Sequence, residues 1–321
     1  MSFSAEVRNE LARLPVDNPC CRRAELTALL RAGGALTLGD GQGPGISFTT
    51  ETASVARRVL ALAKREFGVR CAVSIRRSRR LNKHNSYVVR IAAGPEVSAM
   101  LAALGIVEGA DVPRLTPAGE ADLPKRPCCR RAFLRGAFLG GGSVNRPEGE
   151  YHLEIVTENA GFAAALAKVS RSLGLRARLT SRKHGHLVYF KDGETITSFL
   201  RLIGAHAALL EFENVRVVKD VRNQVNRLVN CETANLEKTI NAGLRQVEGI
   251  KFIAAKIGLD RLPPPLRRAA EVRLAFPDAT LKELAEAMDD RVGKSGLNHR
   301  LRKLAQIAAE LRTGGNDESR T

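Results

Sequence analysis

Six cysteines stand in this chain of 321 residues, and four of them form two adjacent pairs, Cys20-Cys21 and Cys128-Cys129. Thiolates hold zinc, but such sites use C-x2–4-C spacing so that both sulfurs face one ion. Adjacent cysteines at a helix start point apart, so the spacing predicts small buried side chains and no metal site. Cys71 and Cys231 read as core. His184 and His186 flank Gly185 at a basic hairpin turn with no carboxylate alongside, which reads as a surface turn. The glycine-rich stretch 39–45 lacks the lysine of a phosphate-cradling P-loop. No Ser/His/Asp order stands out for nucleophilic catalysis. The acids best matched between the two halves of an internal repeat are Glu51 and Glu158, the candidates if the chain were an active nuclease. The main expectation is that there are no catalytic residues, no cofactor and no metal.

Charge points to a partner more clearly than to a reaction. Lys and Arg number 51 against 34 Asp and Glu, a net +17, and the sequence pI is about 10.2. Such an excess attracts a polyanion, either nucleic acid or an anionic membrane surface. No apolar run is long enough to span a bilayer, and Glu6 and Arg8 stand where a signal peptide needs its apolar core. The expectation is a cytoplasmic, nucleoid-associated protein with reduced cysteines. Aromatic residues are 4%, with no Trp. Single-strand and RNA readers usually stack bases on rings, so duplex DNA is the favoured partner.

The positions named above are organised by a duplication. Cys20-Cys21-Arg22-Arg23-Ala24 recurs letter for letter at Cys128-Cys129-Arg130-Arg131-Ala132. Further matches follow in the same order: Thr50-Glu51 with Thr157-Glu158, 67–70 with 173–176, and Leu104-Gly105 with Ile203-Gly204. Each copy reads α-β-β-α-β-β-α from its apolar periodicity. The first copy predicts helices over 22–31, 53–67 and 95–104, and strands over 35–38, 46–50, 70–77 and 87–91. The second predicts helices over 130–139, 160–173 and 194–203, and strands over 142–144, 151–156, 175–182 and 187–190. In the strand after the second helix of the first copy, Val69, Cys71, Val73 and Ile75 alternate with Arg70 and Arg76. The prolines between 111 and 127 mark a connector. The third and fourth strands of each copy are basic. Arg76, Arg77, Arg79 and Arg80 in the first, and Arg178, Arg182 and Lys183 in the second, are candidate phosphate contacts.

The first helix of the second copy runs Phe133-Leu-Arg-Gly136-Ala-Phe-Leu-Gly-Gly141-Gly142-Ser143. It resembles the signature helix of LAGLIDADG homing endonucleases. The resemblance implies a saddle of two pseudo-symmetric halves whose signature helices touch at Gly136. In that family an Asp or Glu before the closing glycine binds the catalytic metal. The matching positions here are Gly33 and Gly141, degenerate because neither carries a carboxylate for Mg2+.

Beyond the duplication the pattern is helical over 213–229 and 233–257. Leu262-Pro263-Pro264-Pro265 breaks it and starts a helix over 266–275. Thr280 with Glu283 forms a capping box for a helix over 281–288 whose stripe is Leu281, Leu284, Ala285 and Met288. A turn ending at Gly293 leads to a longer basic helix over 294–311, with Leu297, Leu301, Leu304, Ile307, Ala308 and Leu311 inward. This is helix-turn-helix order, in which the second helix meets base edges with its N-terminal turns. The outward residues there are Lys294, Ser295, Asn298, His299, Arg302 and Lys303. Asn can pair with adenine and Arg with guanine. From residue 259 onward basic and acidic residues nearly balance, so most of the positive charge lies upstream.

With the first domain, the Asn-rich stretch 226–246 resembles the WhiA family of bacterial transcription regulators. The reading is α+β for the duplicated domain and all-α for the last. The divisions are 1–127 and 128–205 for the repeats, 206–258 for a helical connector, 259–313 for the helix-turn-helix domain and 314–321 for a tail. The resemblance implies a sequence-specific DNA-binding transcription regulator of sporulation, cell division and chromosome segregation, with an inactive endonuclease-like domain. It also implies RNA polymerase and a WhiB-type iron–sulfur protein as partners. The alternative is an architectural nucleoid protein.

Overall fold

Proline placed just inside a helix start costs nothing, because the first amides have no intrahelical partner. Pro19 and Pro127 open the two matched helices in this way: α2 (Pro19–Gly33) and α5 (Pro127–Gly141) in the computed structural model. The structure describes residues 2–38, 43–77, 85–108, 114–115, 123–183, 185–288 and 292–314. The chain divides into two units, Met1–Asp220 and Val221–Thr321.

The N-terminal unit begins with α1 (Phe3–Leu11), capped by the Ser2 hydroxyl. The first repeat then follows as α2, β1 (Gly34–Leu38), β2 (Pro44–Thr50), α3 (Ala53–Phe67), β3 (Cys71–Arg77), β4 (Asn85–Ile91) and α4 (Pro95–Ala103). A short pair, β5 (Val107–Glu108) with β6 (Arg114–Leu115), joins the end of the first repeat to the start of the connector. The second repeat is α5, β7 (Gly142–Val144), β8 (Leu153–Thr157), α6 (Ala160–Ser172), β9 (Arg178–Arg182), β10 (Gly185–Phe190) and α7 (Gly193–Ile203). The sheets have matching orders, β1-β2-β4-β3 and β7-β8-β10-β9, with every pairing antiparallel. The expected duplication therefore stands.

Register decides which face of each sheet is covered. Ile46 and Phe48 share a face with Val89 and Ile91, and all four are buried. Leu153, Ile155, Val188 and Phe190 do the same in the second sheet. One continuous core joins these faces to α2, α5 and the flanking helices. The predicted alternation in β3 is only half right. Cys71 is half-buried, but Val73 and Ile75 are exposed at 45% and 58%, because this edge strand has one neighbour and little cover.

The stretch expected as two helical segments is one helix, α8 (His206–Lys256). The sequence explains this, since neither proline nor a positive-φ glycine interrupts 206–256. Cys231 is exposed on this helix rather than in a core, and its Sγ accepts from the Asn235 amide at 3.7 Å.

In the C-terminal unit a 3-10 turn at Leu259–Arg261 leads to α9 (Pro264–Ala275), α10 (Leu281–Glu286) and α11 (Lys294–Gly314). Ile250 and Ile253 of α8 join Ala269, Ala270, Leu284, Met288, Leu297, Leu301, Leu304 and Ala308 in a second core. Ile307 and Leu311 pack against its edge. The capping box is present, with the Glu283 amide on Thr280 Oγ1 at 3.3 Å and the Thr280 amide on Glu283 Oε2 at 2.7 Å. The Thr280 amide, and after it the Thr280 side chain, hold the Glu283 carboxyl below its usual range. Among the described residues, no helix is long and apolar enough to cross a membrane.

Candidate nucleic-acid interface

Two helices can bring their backbones into contact only where side chains are missing. A Cβ at Gly136 of α5 would lie 2.1 Å from the Glu25 carbonyl of α2, and one at Gly140 would lie 2.7 Å from the Leu29 carbonyl. The two signature positions sit at the far end of the same contact. A Cβ at Gly33 would meet the Gly140 carbonyl at 2.6 Å, and one at Gly141 would meet the Val156 carbonyl at 2.4 Å. Backbone fills the space that a metal-binding carboxylate would need. Arg8, from α1, donates to the carbonyl of Gly142, next to one of these positions. Burial lowers the Arg8 pKa, and the nearby charge of Glu51 partly offsets this. Glu51 and Glu158 are exposed, just past the ends of β2 and β8.

A fully buried carboxylate locks the pair. Glu25 Oε1 accepts from Arg58 Nε at 2.7 Å, and Oε2 accepts from Arg135 Nε at 2.8 Å across the helix contact. Arg58 also donates to the Leu14 carbonyl and Arg135 to the Ile203 carbonyl. Sequence reasoning missed this triad and Arg8. The one signal was an acid, Glu25, standing inside the apolar pattern of its helix.

The basic strands present their charge on definite faces. Arg76 pairs with Ser86 and Ala72 with Arg90, which puts Arg76 and Arg90 on the face away from Val89 and Ile91. Arg77 falls on the opposite face. In the second sheet Arg178 and Arg182 share the face away from Val188 and Phe190. Arg76, Arg77, Arg178, Arg182 and Lys183 are all exposed. Arg79, Arg80 and His184 lie outside the described residues. On that second face Glu154 also stands, joined to His152 at 2.9 Å, so the surface is mixed in sign. His186 meets the Ser181 hydroxyl at 3.0 Å.

On α11, Ser295, Asn298, His299 and Arg302 follow i, i+3, i+4, i+7 spacing and therefore share one strip. Lys294, Ser295, His299, Arg302 and Lys303 are exposed and Asn298 is half-buried, while Leu297, Leu301 and Leu304 face the core. The preceding segment is fastened by Arg273, a residue the sequence did not single out. It is 3% exposed, and its Nη1 donates to the Pro277 and Ala279 carbonyls at 3.2 and 2.7 Å. Burial lowers its pKa.

The cysteine pairs need a correction. They do not point apart: Cys128 Sγ and Cys129 Sγ are 3.9 Å apart. The four sulfurs of Cys20, Cys21, Cys128 and Cys129 all lie within 4.8 Å of one another. Cys21 and Cys129 are buried as expected, but Cys20 is half-buried and Cys128 exposed.

A duplicated LAGLIDADG-like scaffold with a helix-turn-helix module at its C-terminal end defines the class of protein. Residues 19–107 match the family described as "WhiA N-terminal LAGLIDADG-like domain", 130–222 match "WhiA LAGLIDADG-like domain", and 225–308 match "WhiA C-terminal HTH domain". The chain belongs to the WhiA family. It is 50% identical over 315 residues to "Probable cell division protein WhiA" of Desulforamulus reducens, covering 98% of this chain and 97% of that protein. It is 51% identical over 316 residues to the protein of the same name from Heliobacterium modesticaldum, covering 98% of both. The crystal structure of full-length DUF199/WhiA from Thermatoga maritima covers 97% of this chain and 99% of its own, at 26% identity and a TM-score of 0.57.

Proposed function

We propose that the protein is a sequence-specific regulator that binds duplex DNA through α11, on a scaffold that has lost nuclease chemistry. The observation that carries the reading is the strip Ser295, Asn298, His299, Arg302, set opposite a buried leucine stripe. An α-helix fits the major groove, where Asn reads adenine and Arg reads guanine. Inactivity is supported by Gly33 and Gly141, where there is no carboxylate and no room for a side chain. The cation of Arg8 beside Gly142 further disfavours a divalent ion there. Arg76, Arg178 and Arg182 then supply sequence-independent phosphate contacts. The relatives' name supports a role in cell-division gene control. By family resemblance, sporulation and chromosome segregation join that role, with RNA polymerase and a WhiB-type iron–sulfur protein as partners in the cytoplasm.

Selection from random duplexes at physiological salt tests the reading. Recovery of one conserved site by the wild-type chain, lost with Arg302→Ala, supports it. Uniform recovery of all sequences would favour an architectural role, toward which the upstream position of most of the positive charge points. Plasmid cleavage with Mg2+ at stoichiometric protein would overturn the inactive scaffold.

A further inference from the structure

We propose that Cys20, Cys21, Cys128 and Cys129 form a tetrathiolate site for one Zn2+ ion, clamping the N-terminal ends of α2 and α5. Four thiolates bound tetrahedrally at about 2.3 Å from a zinc ion lie about 3.8 Å apart. The Cys128–Cys129 separation of 3.9 Å already matches this, and no pair in the group exceeds 4.8 Å. A contraction of less than about 1 Å in the widest pairs closes the tetrahedron, within reach of side-chain rotation. Clusters of several irons spread their thiolates farther apart, and tetrahedral S4 sets favour zinc among divalent ions.

The surroundings suit a site with an excess of negative charge. Both pairs occupy the first turn of a helix, where the helix dipole stabilises thiolate. Neither first turn carries an acid, and neither helix is capped by a side chain. The hydrogen bond from Cys129, opposed by burial and aided by Cys21 and Arg126, already pulls the Cys20 thiol below its ordinary pKa. Burial pushes Cys21 up to about 11 and Cys129 higher still, so an ion must displace those protons and will bind more weakly in acid. Two surface grooves give access. One, of about 550 Å3, reaches Cys21 and Cys128, and the other, of about 350 Å3, reaches Cys20 and Cys129. The site is at the opposite end of the helix pair from Gly33 and Gly141, about 20 Å along the axis at 1.5 Å per residue. It is therefore separate from the place where the endonuclease family holds its metal. Its role would be structural, because the closed four-ligand set leaves no open coordination position.

The full-length reduced chain, stripped with a chelator, is titrated with Co2+ and then with Zn2+. The expected result is one equivalent of Co2+ per chain, with sulfur-to-cobalt charge-transfer and tetrahedral d–d bands that one equivalent of Zn2+ bleaches. Zn2+ at a hundredfold excess over its Kd should raise the unfolding midpoint of the N-terminal unit by about 5–10 °C. Cys20→Ser and Cys128→Ser should each lose at least about a hundredfold in Zn2+ affinity, beyond what outer-shell changes cost. Cys71→Ser and Cys231→Ser should bind as wild type. The wild-type spectrum needs no variant to fold. Absence of the tetrathiolate bands, unchanged affinity in Cys20→Ser and Cys128→Ser, or disulfides forming among the four cysteines despite excess Zn2+ would each overturn the proposal.

Discussion

Replacing Gly136 with alanine adds one methyl group where the structure leaves no space for it. The new Cβ would lie 2.1 Å from the Glu25 carbonyl oxygen, whereas ordinary carbon–oxygen contacts are about 3.3–3.6 Å. The axes of α2 and α5 must separate there by about 1.2 Å. No flexible side chain can yield instead, because the clash is with backbone, and Gly140 and Gly33 close the same contact farther along. Overpacking of this kind costs about 1–3 kcal/mol. The rigid neighbour places Gly136→Ala at or above the top of that range. Helix propensity returns about 1 kcal/mol, leaving a net loss of about 2 kcal/mol. For a unit of this size the midpoint should fall by about 4–8 °C. The readout is unusually clean. The chain has no Trp, and its three tyrosines, Tyr87, Tyr151 and Tyr189, all lie in the N-terminal unit, so tyrosine fluorescence follows that unit alone. Gly249→Ala is the control: its Cβ would meet Ala308 Cβ at an ordinary 3.5 Å, so this change should raise the second transition seen by circular dichroism. An unchanged or raised tyrosine midpoint in Gly136→Ala would refute the close helix contact.

Glu25→Ala strands Arg58 and Arg135 in the core and should cost about 3–5 kcal/mol, read by tyrosine-monitored urea unfolding. Arg273→Met should lower the second transition by about 1–3 kcal/mol, because the charge-assisted hydrogen bonds to the Pro277 and Ala279 carbonyls are lost. Asn298→Ala and Arg302→Ala should each cost about 1–3 kcal/mol on the selected site and little on random duplex, measured by fluorescence anisotropy. Charge reversal at Arg76, Arg178 and Arg182 should weaken binding to every sequence alike and flatten the salt dependence. For Asp192, burial alone would raise the carboxyl pKa, but the Thr195 side chain and amide outweigh it and the net shift is downward. A depressed carboxylate stabilises the fold above its unfolded pKa and stops doing so as pH falls through its folded value. Acid should therefore weaken the N-terminal unit, and Asp192→Asn should flatten that slope in a pH series of melts.

The duplication was legible because its copies share letters and because helix and strand periods alternate in the same order. The helix-turn-helix was legible from one capping box and one leucine stripe, both local in sequence. What escaped was non-local. Cys20 and Cys128 meet, and Glu25 reaches Arg135, only because α2 and α5 pack together. A spacing rule applied within each cysteine pair cannot see the other pair. The exposure of Val73 and Ile75 was hidden for a related reason: alternation names a face without saying whether anything covers it. Arg273 looked like one basic residue among many, since its value depends on carbonyls released where α9 ends. The continuity of α8, by contrast, is written in the sequence, which holds no proline over 206–256.

The most direct test of the central claim is a footprint of the wild-type chain across genomic DNA at physiological salt, beside Asn298→Ala and Arg302→Ala. The account predicts discrete sites sharing one sequence, lost in both variants, with the DNA uncut in the presence of Mg2+. Continuous coverage that the two substitutions leave intact would contradict it.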